Sequence, residues 1–170
     1  MNIFKNLSTI LCLLFLTLTP SLGHADMKAG DEAYAANDFV RAFEEWMKEA
    51  EAGNPVAQNN VGFLYRKALG VVVNWEEAAR WYRRAAEQGL AAGMTNLGKL
   101  LDEGEGVQQD LIESYKWFFL AAERGAPGAA AHLQILRDDF LTAIQVEEAI
   151  QRAKKWQPKA ETGVSPSEKQ

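Results

Sequence analysis

Apolar residues along this chain recur three and four positions apart, and no stretch alternates apolar with polar residues for long enough to make a strand. The spacing predicts helices throughout. The pattern also repeats itself. With 39–74 aligned on 75–110, Ala42 falls on Ala78, Ala50 on Ala86, Gly53 on Gly89, Asn60 on Asn96, Gly62 on Gly98 and Leu64 on Leu100. A third copy, 111–146, keeps Trp117, Ala121, Ala122, Glu123, Gly125, Leu133 and Leu136 in the same register. A fixed period of this length marks stacked supersecondary units, each burying its apolar face against the next copy. The expected fold class is all-α, a solenoid of antiparallel helix pairs.

Within a copy, the local chemistry predicts two helices. The leading one starts at a capping residue. Asn74 is followed three positions on by Glu77, and Asp110 by Glu113, which lets side chain and backbone satisfy each other's orphan groups. Asp38 stands at the same place in the first copy, but Arg41 follows instead of an acid, so that start is less completely capped. Each leading helix stops at a glycine, Gly53, Gly89 or Gly125, and Pro55 and Pro127 suit the first turn of the trailing helix. The leading helices carry bulk (Trp46; Trp81 with Tyr82; Trp117 with Phe118) beside the small Ala50, Ala86 and Ala122. Gly62 and Gly98 sit inside trailing helices at a cost of roughly 1 kcal/mol each against alanine. Their recurrence predicts a close helix–helix approach. Met27 to Ala36 reads as a lone trailing-type helix ahead of the first copy, and Pro127 to Phe140 as the trailing helix of the third. Thr142 with Gln145 opens a capping helix, about 143–156, whose expected apolar stripe is Ile144, Val146, Ile150 and Ala153.

The two ends differ from this middle. Lys5 precedes an apolar run, Leu7 to Leu18, that is broken by small hydroxyl residues and Cys12. Pro20 and then Gly23-His24-Ala25 follow. This order predicts a signal peptide over 1–25, cleaved before Asp26. The run of roughly 12 residues falls short of the ~20 that span a bilayer, so no membrane span is expected after cleavage. The helical-repeat domain would then cover 26–156, and the Pro-, Ser- and Lys-containing stretch 157–170 is expected to be a disordered tail. Without Lys5 the remainder carries 17 basic and 23 acidic residues and no cysteine. Interspersed charge with an acidic excess argues against a nucleic-acid surface. An exported chain without thiols is held by packing rather than disulfides.

Gly104-Glu105-Gly106-Val107-Gln108-Gln109-Asp110, then Trp117-Phe118 and Ala121-Ala122-Glu123-Arg124-Gly125, resemble the Sel-1-like repeat family, a relative of the tetratricopeptide repeats. Ala78, Trp81-Tyr82 and Ala85-Ala86-Glu87-Gln88-Gly89 extend the resemblance to the middle copy. The first junction departs from it: Ala68 replaces the first loop glycine, Asn74 replaces the acidic cap, and the loop Leu69 to Val73 is unusually apolar. The resemblance covers roughly Asp31 to Trp156. It implies a right-handed superhelix serving as a protein-interaction scaffold, in the periplasm or secreted. It also offers an alternative, a cell-wall or β-lactam-acting enzyme of the cysteine-rich branch. That branch carries a disulfide in each repeat, which this chain lacks after cleavage.

Catalytic chemistry is sparse. His132 is the only histidine after Ala25 and falls on the polar repeat position of Asn60 and Asn96; no second histidine or cysteine completes a zinc site. Ser114 has Lys116 two residues on rather than three, and occupies a small packing position. Asp102, Glu103 and Glu105 lack the alternating oxygen ligands of a calcium loop. The tryptophans sit in repeat register and read as core. The expectation is a non-enzymatic protein with no cofactor and no metal.

If the pairs pack as tetratricopeptide pairs do, the trailing helices line a concave face. Register then places Asn59, Phe63, Arg66 and Lys67 there in one copy, Thr95, Lys99, Asp102 and Glu103 in the next, and Ile135, Asp138 and Asp139 in the third. Phe63 and Ile135 are apolar where solvent is expected, and charge runs from basic to acidic along the stack. These positions are the candidate surface for a protein or peptide partner, with Phe63 and Ile135 either anchoring it or packing on neighbouring helices.

Overall fold

In a computed structural model of the 170-residue chain, which describes residues 22–161, the described residues form helices and no strand. They are α1 (Leu22–Ala35), α2 (Phe39–Glu51), α3 (Pro55–Lys67), α4 (Trp75–Glu87), α5 (Ala91–Glu103), α6 (Leu111–Glu123), α7 (Ala129–Ile135) and α8 (Ala143–Lys155). A π-helical turn, Leu136–Phe140, continues α7. Consecutive helices pack pairwise from α1 to α7, and α8 packs back onto α6. Residues 1–21, most of the expected signal segment, and 162–170 lie outside the described part.

The caps form where the sequence places them, but at Asn74 and Asp110 the expected reciprocal half does not: their own N–H groups donate to the Tyr65 and Leu101 carbonyls rather than to Glu77 and Glu113. The side chains of Asn74 and Asp110 accept the backbone N–H groups of Glu77 and Glu113 at 3.0 and 2.9 Å. Asp38 does the same for Arg41 at 3.2 Å, so this start, expected to be less completely capped, is capped in the same way as the other two. Thr142 and Gln145 make the reciprocal box. The glycines inside α3 and α5 do mark close approach. A methyl group on Gly62 would lie 2.9 Å from the Tyr82 ring, and one on Gly98 would lie 3.2 Å from the Phe118 ring. Small residues recur for the same reason. Ala42, Ala78 and Ser114 are buried at one repeat position, and Ser114 Oγ donates to the Gly98 carbonyl at 2.8 Å.

The core falls into two clusters. Ala33, Trp46, Val61, Leu64 and Trp81 belong to the first; Tyr82, Leu97, Leu100, Trp117, Phe118, Leu136 and Ala149 belong to the second. Phe63 and Tyr65 pack against both. His132 stacks on Phe118 with ring centroids 4.5 Å apart, an ordinary core-edge contact.

Four expectations need correction. Pro127 does not open a helix. Gly128 follows it with φ +77°, and α7 begins at Ala129, which occupies the buried register position of Ala57. The trailing helix of the third copy is not α-helical to Phe140, because a π turn widens its last five residues. Ile144 is 82% exposed; the buried stripe of α8 centres on Ala149 and Ala153, with Val146 and Ile150 packed beside them, because α8 rests on α6 with its first turn overhanging. Finally, 157–161 is not free. It runs back across the stack, where the Glu87 carbonyl, Gln58 and Arg84 hold it.

Candidate functional site

The odd-numbered helices α3 and α5 lie side by side, and two polar links between them use positions singled out for a partner, Asn59, Arg66 and Glu103. Asn96 donates its amide to Asn59 Oδ1 at 2.9 Å, and Arg66 pairs with Glu103 at 3.7 Å. The basic-to-acidic run along the stack is therefore partly neutralised within the chain. The Arg66 guanidinium also lies over the Trp75 ring, 5.7 Å from its centroid. Thr95 spends its hydroxyl on the Ala91 carbonyl one turn back, at 2.9 Å. Lys67 is exposed and Lys99 half-buried.

Burial raises the Asp102 carboxyl above the usual range, with the His132 charge opposing and Glu103 adding to it. Glu105 is raised as well, by desolvation first and then by Glu103. Asp138 pairs with its neighbour Arg137 at 3.1 Å, so it does not continue an acidic groove line from Asp102. The π turn carries Asp138 and Asp139 out of the helical register that would have aligned them.

Phe63 and Ile135 part company. Phe63 is half-buried, edge-on to Tyr34 with centroids 6.3 Å apart. Ile135, with no further described helix packed outside it, is 49% exposed. Phe63 also borders a concavity of about 410 Å³ together with Asp31, Tyr34, Trp46, Asn59 and Asn60. Asp31 there accepts the Trp46 indole N–H at 3.1 Å. A second recess, about 430 Å³, lies between α5 and the α6–α7 turn, bounded by Ala91, Ala92, Thr95, Asn96 and Arg124–Pro127. Sequence register identified Asn59, Phe63 and Thr95. It missed Asp31, Tyr34 and Asn60, whose helical phase alone does not show which neighbour they face. No group of three metal-ligating side chains converges among the described residues.

The sequence pattern of the Sel1 repeat matches residues 55–90 and 91–125. Among solved structures, the chain is similar to a protective antigen of uropathogenic Escherichia coli strains that displays an SLR fold, with a TM-score of 0.74 and 28% identity. It is also similar to a Sel1 repeat protein from Oxalobacter formigenes, with a TM-score of 0.63 and 32% identity. These alignments take in 84% and 76% of this chain but 34% and 53% of those, so the chain spans about a third to a half of their length. Comparison with curated proteins gave no match. Folds of this kind commonly act as protein-interaction modules and typically as non-enzymatic scaffolds. Residues 55–125 are thus two Sel1 repeats, and the helical stack built around them is that of the Sel1-repeat proteins.

Proposed function

We propose that the chain is an exported, non-enzymatic adaptor that binds a protein segment along the face of α1, α3, α5 and α7, the concave face of a short solenoid. The observation that carries this reading is the pair of recesses on that face. They lie between neighbouring helix pairs, and beside the recurring Asn60 and Asn96 they present side chains that differ between copies, as Asn59 and Thr95 do. Phe63, Lys99 and Ile135 share one register position and present an aromatic ring, a cation and a half-exposed aliphatic group. Repeat scaffolds read extended or helical peptides through such varied side chains on a rigid frame.

Export through a signal peptide cleaved after Ala25 fits the same architecture. Met27, Ala33 and Tyr34, which pack on the stack from α1, follow that bond. The mature N-terminus of purified protein checks it, with Asp26 expected as the first residue.

Crosslinking with mass spectrometry in the native cell, followed by Ile135→Asp and Lys99→Glu, tests the binding face. Both side chains reach solvent, so both variants are expected to fold. Loss of the crosslinked partner from folded variants supports the reading, and undiminished capture by both would sink it.

A further inference from the structure

The segment after α8 turns back along the edge of the stack where the α2–α3 and α4–α5 turns lie. Trp156 packs edge-on against Trp117, centroids 5.9 Å apart, beneath the Arg124 guanidinium. Pro158 then rests on Gly89, the Lys159 N–H donates to the Glu87 carbonyl at 2.8 Å, and Glu161 reaches the first turn of α3. The Glu87 carbonyl is one of the orphan acceptors at a helix C-terminus, so the segment uses a hydrogen-bonding site that α4 leaves open.

At the far end is a built niche. Arg84 grips the Glu161 carboxylate with Nε at 3.0 Å and Nη2 at 2.8 Å, a two-pronged geometry suited to a planar carboxylate. Gln58, fully buried, donates to the same carboxylate at 2.8 Å and to the Ala50 carbonyl at 3.1 Å. Gln88 fixes the Gln58 amide by donating to its oxygen at 2.8 Å, and the Trp81 ring lies 4.4 Å from the Arg84 guanidinium. The floor is Gly53, where a side chain would stand 3.0 Å from the Glu161 carbonyl.

The repeat alignment shows that this niche is specific to one junction. Gln58 falls on Met94 and Ala130, and Arg84 on Lys48 and Leu120. A buried amide where the next copy has a methionine answers no packing need of the repeat. A buried polar group needs partners, and here the Ala50 carbonyl and the Gln88 amide are joined by a carboxylate.

We propose that this turn edge is a peptide-binding site for an extended segment with a proline followed three residues later by a carboxylate. The chain occupies it in cis with its own Trp156–Glu161, which forms a displaceable strap. The site adjoins the second recess at Arg124, and it stands whether or not the face of the odd-numbered helices binds anything. A competing peptide of the same pattern opens the strap.

The experiment uses the full chain with Glu161→Gln and Arg84→Gln, each checked for helix content. Trypsin cleavage after the exposed Lys159 reads strap opening, because proteolysis follows the population of the opened segment. Either substitution should speed it roughly tenfold, the fold-change expected for losing a charge-assisted hydrogen bond. The peptide acetyl-Trp-Gln-Pro-Lys-Ala-Glu-amide is then titrated by NMR. A strap tethered to α8 meets its site at an effective concentration on the order of millimolar, so the titration extends into that range. Shifts at Gln58 and Gly89 are expected in the Glu161→Gln chain and should vanish in the double variant with Arg84→Gln. Unchanged cleavage in both single variants, or peptide shifts that persist without Arg84, would overturn the proposal. A wild-type mass in solution equal to a dimer with exchanged straps would overturn the cis assignment.

Discussion

Ala68 holds a left-handed backbone conformation, φ 54° and ψ 38°, that Gly104 takes at the same position of the next repeat with φ 71° and ψ 24°. Both residues close their helix by donating to the carbonyl four residues back, Leu64 and Leu100. The sequence showed a missing glycine and an unusually apolar loop. It did not show that the loop would keep the glycine geometry with an alanine. The reason lies on both sides of the loop: the Asn74 N–H donates to the Tyr65 carbonyl and the Asp110 N–H to the Leu101 carbonyl, the same closure in both copies. A left-handed alanine costs roughly 1–2 kcal/mol, while a glycine adds unfolded-state entropy of about 0.5–1 kcal/mol. Ala68→Gly is therefore expected to stabilise the protein by about 0.5–1 kcal/mol, read from its urea midpoint with the m-value unchanged.

Between helices, the repeated glycines test whether propensity or packing decides. Alanine at Gly62 or Gly98 gains roughly 1 kcal/mol of helix propensity. At Gly62 the new methyl meets the Tyr82 ring at 2.9 Å and the Ala78 carbonyl at 3.2 Å, and Tyr82 is itself fully buried. At Gly98 it meets only the Phe118 ring among its nearest neighbours, at 3.2 Å. Gly62→Ala should therefore destabilise more than Gly98→Ala, with a net loss at Gly62 of about 1–2 kcal/mol from overpacking; thermal unfolding of both variants gives the order. The strap adds a pH dependence at the same scale. The hydrogen bond from Arg84 holds the Glu161 carboxyl below its usual value despite partial burial, with Gln58 helping. A group with a lowered folded pKa contributes its full stability above its unfolded pKa, here near 4.5, and loses it as pH falls through the folded value. The protection of the Lys159 amide, its exchange rate corrected for the intrinsic pH dependence of exchange, should thus be full above pH 4.5 and fall as the pH drops below it in the wild type, with a much flatter profile in Glu161→Gln.

Across the molecule, a repeat stack is nearly one-dimensional, since each unit touches its neighbours and stability is a sum of local terms. The strap is an exception. It links Glu161 to Gln58 and Arg84 across 103 and 77 residues of sequence. The larger core cluster runs from α4 to α8, whereas α1 packs on α2 alone among the strong helix contacts and α7 ends in an exposed π turn. Hydrogen exchange is expected to be slowest in α4, α5 and α6 and fastest in α1 and the π turn. In Glu161→Gln, exchange at the α2–α3 turn should quicken while α6 stays unchanged. Equal protection from α1 to α6 would contradict the stacked, locally cooperative picture.

By itself, the sequence determined the period, the helix pairs, their caps and the glycine contacts between them. Each of these depends on residues within a turn or one repeat of each other, where spacing alone fixes the geometry. It also put Asn59, Phe63 and Thr95 at register positions of one expected face, where Asn59 and Phe63 border one recess and Thr95 another. Tertiary structure decided what those residues touch: Asn59 engages Asn96, Arg66 pairs with Glu103, Phe63 is half-covered by Tyr34, and Ile135 and Ile144 are left in water. It also decided that Gln58, Arg84 and Glu161 form one niche. Register cannot show an extended segment that follows the last helix back along the stack, because such a segment has no periodicity of its own and takes its order from the backbone groups and charges it meets.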